Sequence, residues 1–127
     1  MVKEDLFIVP EDLYHLGTSS DPKLTYIRSR DVVLLEMNGI TMVVANGRGI
    51  ALATKGRLDK SPMTGWVWCL NKHAAIAKGL VLVHDRLGHY CIAPLKNMPL
   101  SEYIKRLSQL GLKCQKLFRQ EVASWPL

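Results

Sequence analysis

The sequence predicts an α+β fold, a strand-rich core that carries one good helix late in the chain. Three stretches carry that prediction. An Asn38-Gly39 pair sits between the apolar runs Val32–Met37 and Ile40–Ala45, and the apolar runs of Leu80–Pro94 flank a polar break containing Gly88. Pro99–Leu110 places Leu100, Tyr103, Ile104, Leu107 and Leu110 on one face at helical spacing. With 127 residues, 48% hydrophobic and 22% charged, the chain suits one domain, residues 1–127, with a single core.

Taken in order, Asp5–Val9 reads as a short strand stopped by Pro10, and Asp12–Gly17 as a second one. Thr18–Pro22 is a polar loop. Leu24–Asp31 is a mixed stretch with Arg28 and Arg30 close to Asp31. Asn-Gly supplies the two positive φ angles of a type I′ turn, so Val32–Ala45 is a hairpin. Both arms are apolar at nearly every position, which predicts a central hairpin covered on both faces. Asn46–Gly49 is the next turn and leads into the strand Ile50–Thr54. Lys55–Thr64 is loop or short helix.

Gly65–Leu70 is a strand with Trp66 and Trp68 on one face and Val67 and Cys69 on the other; the tryptophan pair is expected in the core. Asn71–Gly79 is a short helical or irregular crossing. Leu80–Pro94 forms the late hairpin, in which His89 and Tyr90 must point to opposite faces. His89 is either a hydrogen-bonded, half-buried histidine or a ligand-facing one, and on these residues alone the first reading is favoured. Pro99 suits the first helical position, Gly111 the C-cap, and Leu112–Phe118 reads as a last strand. Ser124–Leu127 is a tail that Trp125 would pin.

Several classes are excluded. The apolar runs are too short for a transmembrane helix, and the first residues lack the apolar region of a secretory signal. Cys69, Cys91 and Cys114 form no C-x-x-C pair and read as reduced thiols. A His84, His89 and Cys91 metal cluster matches no common zinc spacing, so no metal is expected. P-loop, G-x-S-x-G, H-E-x-x-H and G-x-G-x-x-G motifs are absent. A net charge of +6 favours anionic partners: nucleic acid, a dinucleotide or an acidic protein. Lys105, Arg106, Lys113, Lys116 and Arg119 read as a solvated helix face and an exposed strand.

The order of short motifs is more informative. Leu13-Tyr14-His15, Arg28-x-x-Asp31, Gly47-Arg-Gly49-Ile50-Ala51, Gly65-Trp-Val-Trp68 and Gly88-His89-Tyr90-x-Ile92-x-Pro94 precede Met98 and the helix. This order resembles the type VI secretion exported effector two family of toxins, from about Leu13 to about Leu110. The resemblance implies an ADP-ribosyltransferase-like split β-sandwich with one main C-terminal helix, NAD lying in the cleft between two small sheets. It implies a toxin that binds NAD and transfers ADP-ribose or cleaves NAD, is blocked by a cognate immunity protein, and inserts into no membrane. Such an effector is secreted without a cleaved signal peptide and acts in the cytoplasm of the target cell.

Residue by residue, the resemblance implies Arg28 as a clamp for pyrophosphate or carboxylate. His89 would hydrogen-bond a ribose hydroxyl or the nicotinamide amide, and Tyr90 or Tyr14 would stack on a ring. Ile50 joins Tyr14, His15 and Tyr90 among the cofactor-binding positions, and Arg28, Ala51 and His89 form the catalytic set. His15 stands where related transferases have arginine, and histidine is used there in the diphtheria-toxin branch. Arg28, His15 and His89 would together preorganise the site electrostatically. Ala51 departs from the family's Gly-x-Ser pattern; lacking a hydroxyl, it implies a weakened or inactive site. Glu36, Glu102 and Glu121 are candidate carboxylates, none placed by a motif. The alternative is a basic RNA-binding or RNA-modifying domain, which the net charge suggests.

Overall fold

The structure is a computed structural model and describes residues 4–120. Among them, strands β1 (Glu4–Leu6), β2 (Leu13–Gly17), β5 (Ile50–Ala53), β6 (Gly65–Leu70), β7 (Leu80–Arg86), β8 (His89–Pro94) and β10 (Gln115–Gln120) form one antiparallel sheet. Its order is β1-β7-β8-β5-β2-β6-β10. A second sheet, β3-β4-β9, joins β3 (Leu34–Met37), β4 (Ile40–Val43) and β9 (Met98–Pro99). Two helices complete the α+β fold, α1 (Lys55–Asp59) and α2 (Leu100–Gly111).

One core serves both sheets. Tyr103, Leu107 and Leu110 of α2 are buried against Leu13, Leu70, Leu80, Leu82 and Ile92 of the large sheet and Val43 and Met98 of the small one. Burying side chains of this size contributes roughly 1.5–3 kcal/mol each, which docks α2 on both sheets. The Tyr103 hydroxyl donates to the Ile92 carbonyl at 2.5 Å, so its polar tip is satisfied inside the core. On the other face of β7 and β8, Val81, Val83 and Ala93 make a smaller cluster. His89 and Cys91 continue that face by strand alternation.

Most element expectations hold, with shifted ends. The first strand ends at Leu6, and Ile8 adds only a bridge to Ala75. The helix begins at Leu100, because Pro99 serves as its cap and pairs with Met42 in the small sheet. Gly111 lies inside the helix, where a Cβ would meet Pro22 Cγ at 3.4 Å. Residues 71–79 are an irregular crossing, and the last strand starts at Gln115 rather than Leu112. The tail with Trp125 lies outside the described residues.

Two expectations are corrected. The Asn38-Gly39 hairpin forms in the predicted register, with φ of 52° and 79° at its turn, but it is not central. All four β3 residues are exposed, since β3 is the edge of the small sheet. The tryptophans are half-buried rather than core. Trp68 donates its indole N–H to the Thr18 carbonyl at 2.8 Å, and Lys116 sits 4.8 Å from the Trp66 ring centroid. Val67 and Cys69 supply the buried face of that strand. All three cysteines are free.

Candidate functional site

Gly49 decides where β5 can run. A Cβ there would lie 1.8 Å from the Ile92 carbonyl oxygen, so only glycine lets the chain close against β8 at this point. The next residues pair Ile50 with Ile92, Ala51 with Cys91 and Ala53 with His89. Beside this strand lie two cavities, of about 410 and about 350 Å³. Arg28, Asp31 and Ala51 line both, so the two form one groove of small-molecule size. His15 and Ile50 line the first part; His89, Asp85, Cys91, Arg30, Arg48 and Arg86 line the second.

The groove therefore gathers five of the seven predicted site residues from four parts of the chain: Arg28, Ala51, His89, His15 and Ile50. The two tyrosines lie elsewhere. Tyr90 is buried on the opposite face of β8, stacked on His84 with centroids 4.4 Å apart, and its hydroxyl donates to Glu11 at 3.0 Å. Tyr14 alternates with His15 and faces the side of Cys69; burial, followed by the Cys69 and Asp12 charges, raises its hydroxyl above the ordinary value of 10.0. Neither ring lines the groove.

Arg28 is held by one buried carboxylate. Asp31, 8% exposed, accepts from the Arg28 backbone N–H at 2.8 Å, from Nε at 3.3 Å and from an Nη at 3.2 Å. A guanidinium has five N–H donors, so this clip orients the side chain and leaves donors for a ligand.

His15 is read differently once its partner is seen. Its Nδ1 lies 2.7 Å from the Pro22 carbonyl, which can only accept, so the proton is on Nδ1. Burial lowers its pKa below 6.5 and the Arg28 charge acts the same way, against smaller opposing effects of the Pro22 carbonyl and Asp31. At pH 7 the ring is neutral and Nε2 is an acceptor. A neutral His15 adds no positive charge to the groove, so any electrostatic part it takes is that of a fixed hydrogen-bonding dipole.

His89 faces Asp85 across the late hairpin, Nδ1 to Oδ1 2.7 Å. Burial works to raise the Asp85 carboxyl, but the hydrogen bond and charge of His89, with its own backbone and Arg86, prevail and hold it below 3.8. Cys91 Sγ lies 3.8 Å from Asp85 and 4.0 Å from His89 Nδ1. Burial first, then the Asp85 charge, push this thiol up to about 11, so it is a poor nucleophile. We assign no metal to the trio. Asp85 and His89 satisfy each other, and four arginines line the same cavity. The His84–His89–Cys91 set weighed from sequence is split, with His84 stacked on Tyr90.

Sequence reasoning missed the groove's second carboxylate. Glu36 accepts from Thr41 on the exposed hairpin, Glu102 pairs with Arg106 at 2.8 Å on α2, and Glu121 lies outside the described residues. Asp85, by contrast, lines the groove together with Asp31. Its only signal is the four-residue step to His89 over a short loop. Arg30 and Arg48 lie inside the Arg28–Asp31 and Gly47–Ala51 motifs, but neither they nor Arg86 was given a role.

Two antiparallel sheets around one core, with an arginine-lined groove where the loops before β3 and β5 meet the β7–β8 hairpin, define an α+β protein with a positively charged cavity of small-molecule size. Its family is narrower than that. The family model of the Tse2 ADP-ribosyltransferase toxin matches residues 9–117, and the chain belongs to this family. No curated protein and no solved structure matches it.

Proposed function

We propose that the chain is a toxin domain that binds NAD in the joint groove and cleaves it or transfers its ADP-ribose. The seven- and three-stranded sheets are read as the two parts of a split β-sandwich, residues 1–127 forming one domain. The observation that carries this reading is the convergence of Arg28, Ala51 and His89 on one cavity, although 61 positions separate the first from the last in sequence (89 − 28). Ala51 and His89 meet through the pairing of β5 with β8, and the loop before β3 brings Arg28 to them. Arg28, preset by Asp31, would clamp the pyrophosphate, and Arg30, Arg48 and Arg86 would add positive potential. His15 Nε2 would accept a hydrogen bond from the carboxamide or a ribose hydroxyl. Tyr14 and Tyr90 would support strand packing instead of stacking on the ligand.

Ala51 leaves that part of the groove without a hydroxyl donor, so turnover is expected to be weak. A cognate immunity protein, delivery through type VI secretion without a cleaved signal and action in the target cytoplasm complete the proposal. Among the described residues no helix is long and apolar enough to cross a membrane.

Calorimetric titration of NAD tests the reading. Losing a hydrogen bond to a charged group costs about 1.5–3 kcal/mol, so Arg28→Lys should weaken NAD binding by roughly 10- to 150-fold. Lysine keeps the charge but not the fork. Ala51→Ser should increase NAD depletion and growth inhibition on cytosolic expression. If the unmodified chain gives no heat with NAD at millimolar concentration, the proposal fails.

A further inference from the structure

We infer that Asp85 is the positioning residue of an Asp85–His89 dyad whose His89 Nε2 takes the proton of the nucleophile that captures the ribosyl group. The inference rests on the NAD reading above and gives Asp85, which no family motif marks in this chain, the task of setting His89 as proton acceptor.

The backbone provides the first argument. Between β7 and β8 the register passes from His84↔Tyr90 to Arg86↔His89, leaving Asp85 as an extra residue in a bulge. Bulges re-aim a side chain, and here the carboxylate is aimed at the imidazole, with both side chains under one-fifth exposed. An ionised carboxylate only accepts, so it fixes the proton on Nδ1 and leaves Nε2 to the groove.

Electrostatics provide the second. Arg86 from the hairpin and Arg28, Arg30 and Arg48 from the loops line the cavity with His89; the only other carboxylate there, Asp31, is committed to Arg28. Four guanidiniums oppose a fifth positive charge. Asp85 in direct contact with the ring is the group that offsets them as the imidazolium forms. Cys91 does not compete for the role, because its sulfur approaches the Nδ1 side of the ring.

The step balances. The C1′–N bond of NAD breaks with its electron pair going to the nicotinamide nitrogen, which discharges the pyridinium. An acceptor hydroxyl or water forms the C1′–O bond, and its proton passes to Nε2.

Single-turnover NAD consumption across pH tests this in the chain and in Ala51→Ser, each with and without Asp85→Asn. General-base assistance is worth roughly 10²–10⁴-fold, so Asp85→Asn should lower kcat about 100-fold or more with KM for NAD unchanged. The acid limb of its rate profile should move to lower pH. A long-range nitrogen–proton NMR spectrum of the unsubstituted chain should show the neutral His89 ring protonated at Nδ1; this readout stands even if Asp85→Asn folds poorly. A ring protonated at Nε2, or equal kcat and pH profile with and without Asp85, overturns the dyad while NAD binding survives. A parent chain that neither binds nor consumes NAD removes the underlying reading and the dyad with it.

Discussion

Two hairpins of this chain turn on two-residue loops that end in glycine, Asn38-Gly39 and Leu87-Gly88, yet they serve opposite purposes. In β3–β4 both loop residues have positive φ, the strands run in unbroken register from Leu34↔Val43 to Met37↔Ile40, and most of the hairpin is exposed. In β7–β8 only Gly88 is left-handed, at 75°. Such a turn does not match strand twist as a type I′ turn does, and the adjoining bulge at Asp85 absorbs the difference. The irregular hairpin carries the dyad and the regular one carries no group of the groove. Turn chemistry thus reaches the site through the bulge. Burial follows from neighbours: β8 lies between β7 and β5, whereas β3 is an edge.

The largest effect expected from this contrast is in the buried hairpin. Ile92 is 0% exposed and packs in the shared core. Ile92→Ala should destabilise the chain by about 2–5 kcal/mol in chemical denaturation. A loss under 1 kcal/mol would mean that β8 is not the centre of the core.

The two turn glycines give a smaller, paired test. A left-handed non-glycine residue costs roughly 1–2 kcal/mol. Gly39→Ala should cost about that much, since a Cβ there meets nothing within 4 Å. Gly88→Ala should cost more, because its Cβ would lie 3.3 Å from Thr54 Oγ1 and 3.4 Å from Arg57 Cβ. Equal losses would show that the late turn is as free as the early one.

The same contrast explains how much could be read from the sequence. Asn38-Gly39, the Leu80–Pro94 arms and the α2 face are local patterns, and they appear where local chemistry puts them, except that Ile104 at the margin of the α2 face is exposed. The burial of β3 was misjudged because apolar composition does not say which strand lies beside it. Alternation put Tyr90 and His89 on opposite faces of β8, and in the structure only His89 lines the groove. The resemblance named both as ligand contacts, whereas the Tyr90 ring is stacked on His84. Asp85 was invisible for a different reason: a bulge depends on how the turn fits the twist of both strands, which no single position announces. Arg28, Ala51 and His89 were found through motif order, while the buried state of His15 needed the Pro22 carbonyl and the packing around it.

The smallest effect belongs to the exposed hairpin, and it is the most diagnostic of what covers it. Leu35 is 49% exposed and pairs with Met42. Threonine supplies the β-branched side chain that strands favour while removing apolar surface. On an uncovered edge, Leu35→Thr should change stability by no more than about 0.5 kcal/mol, and denaturation midpoints should not depend on protein concentration. A loss of several times that size, growing as the protein is concentrated, would show the edge is buried against another molecule in solution. The two hairpins would then differ in what covers each of them, since β7–β8 is packed within its own chain.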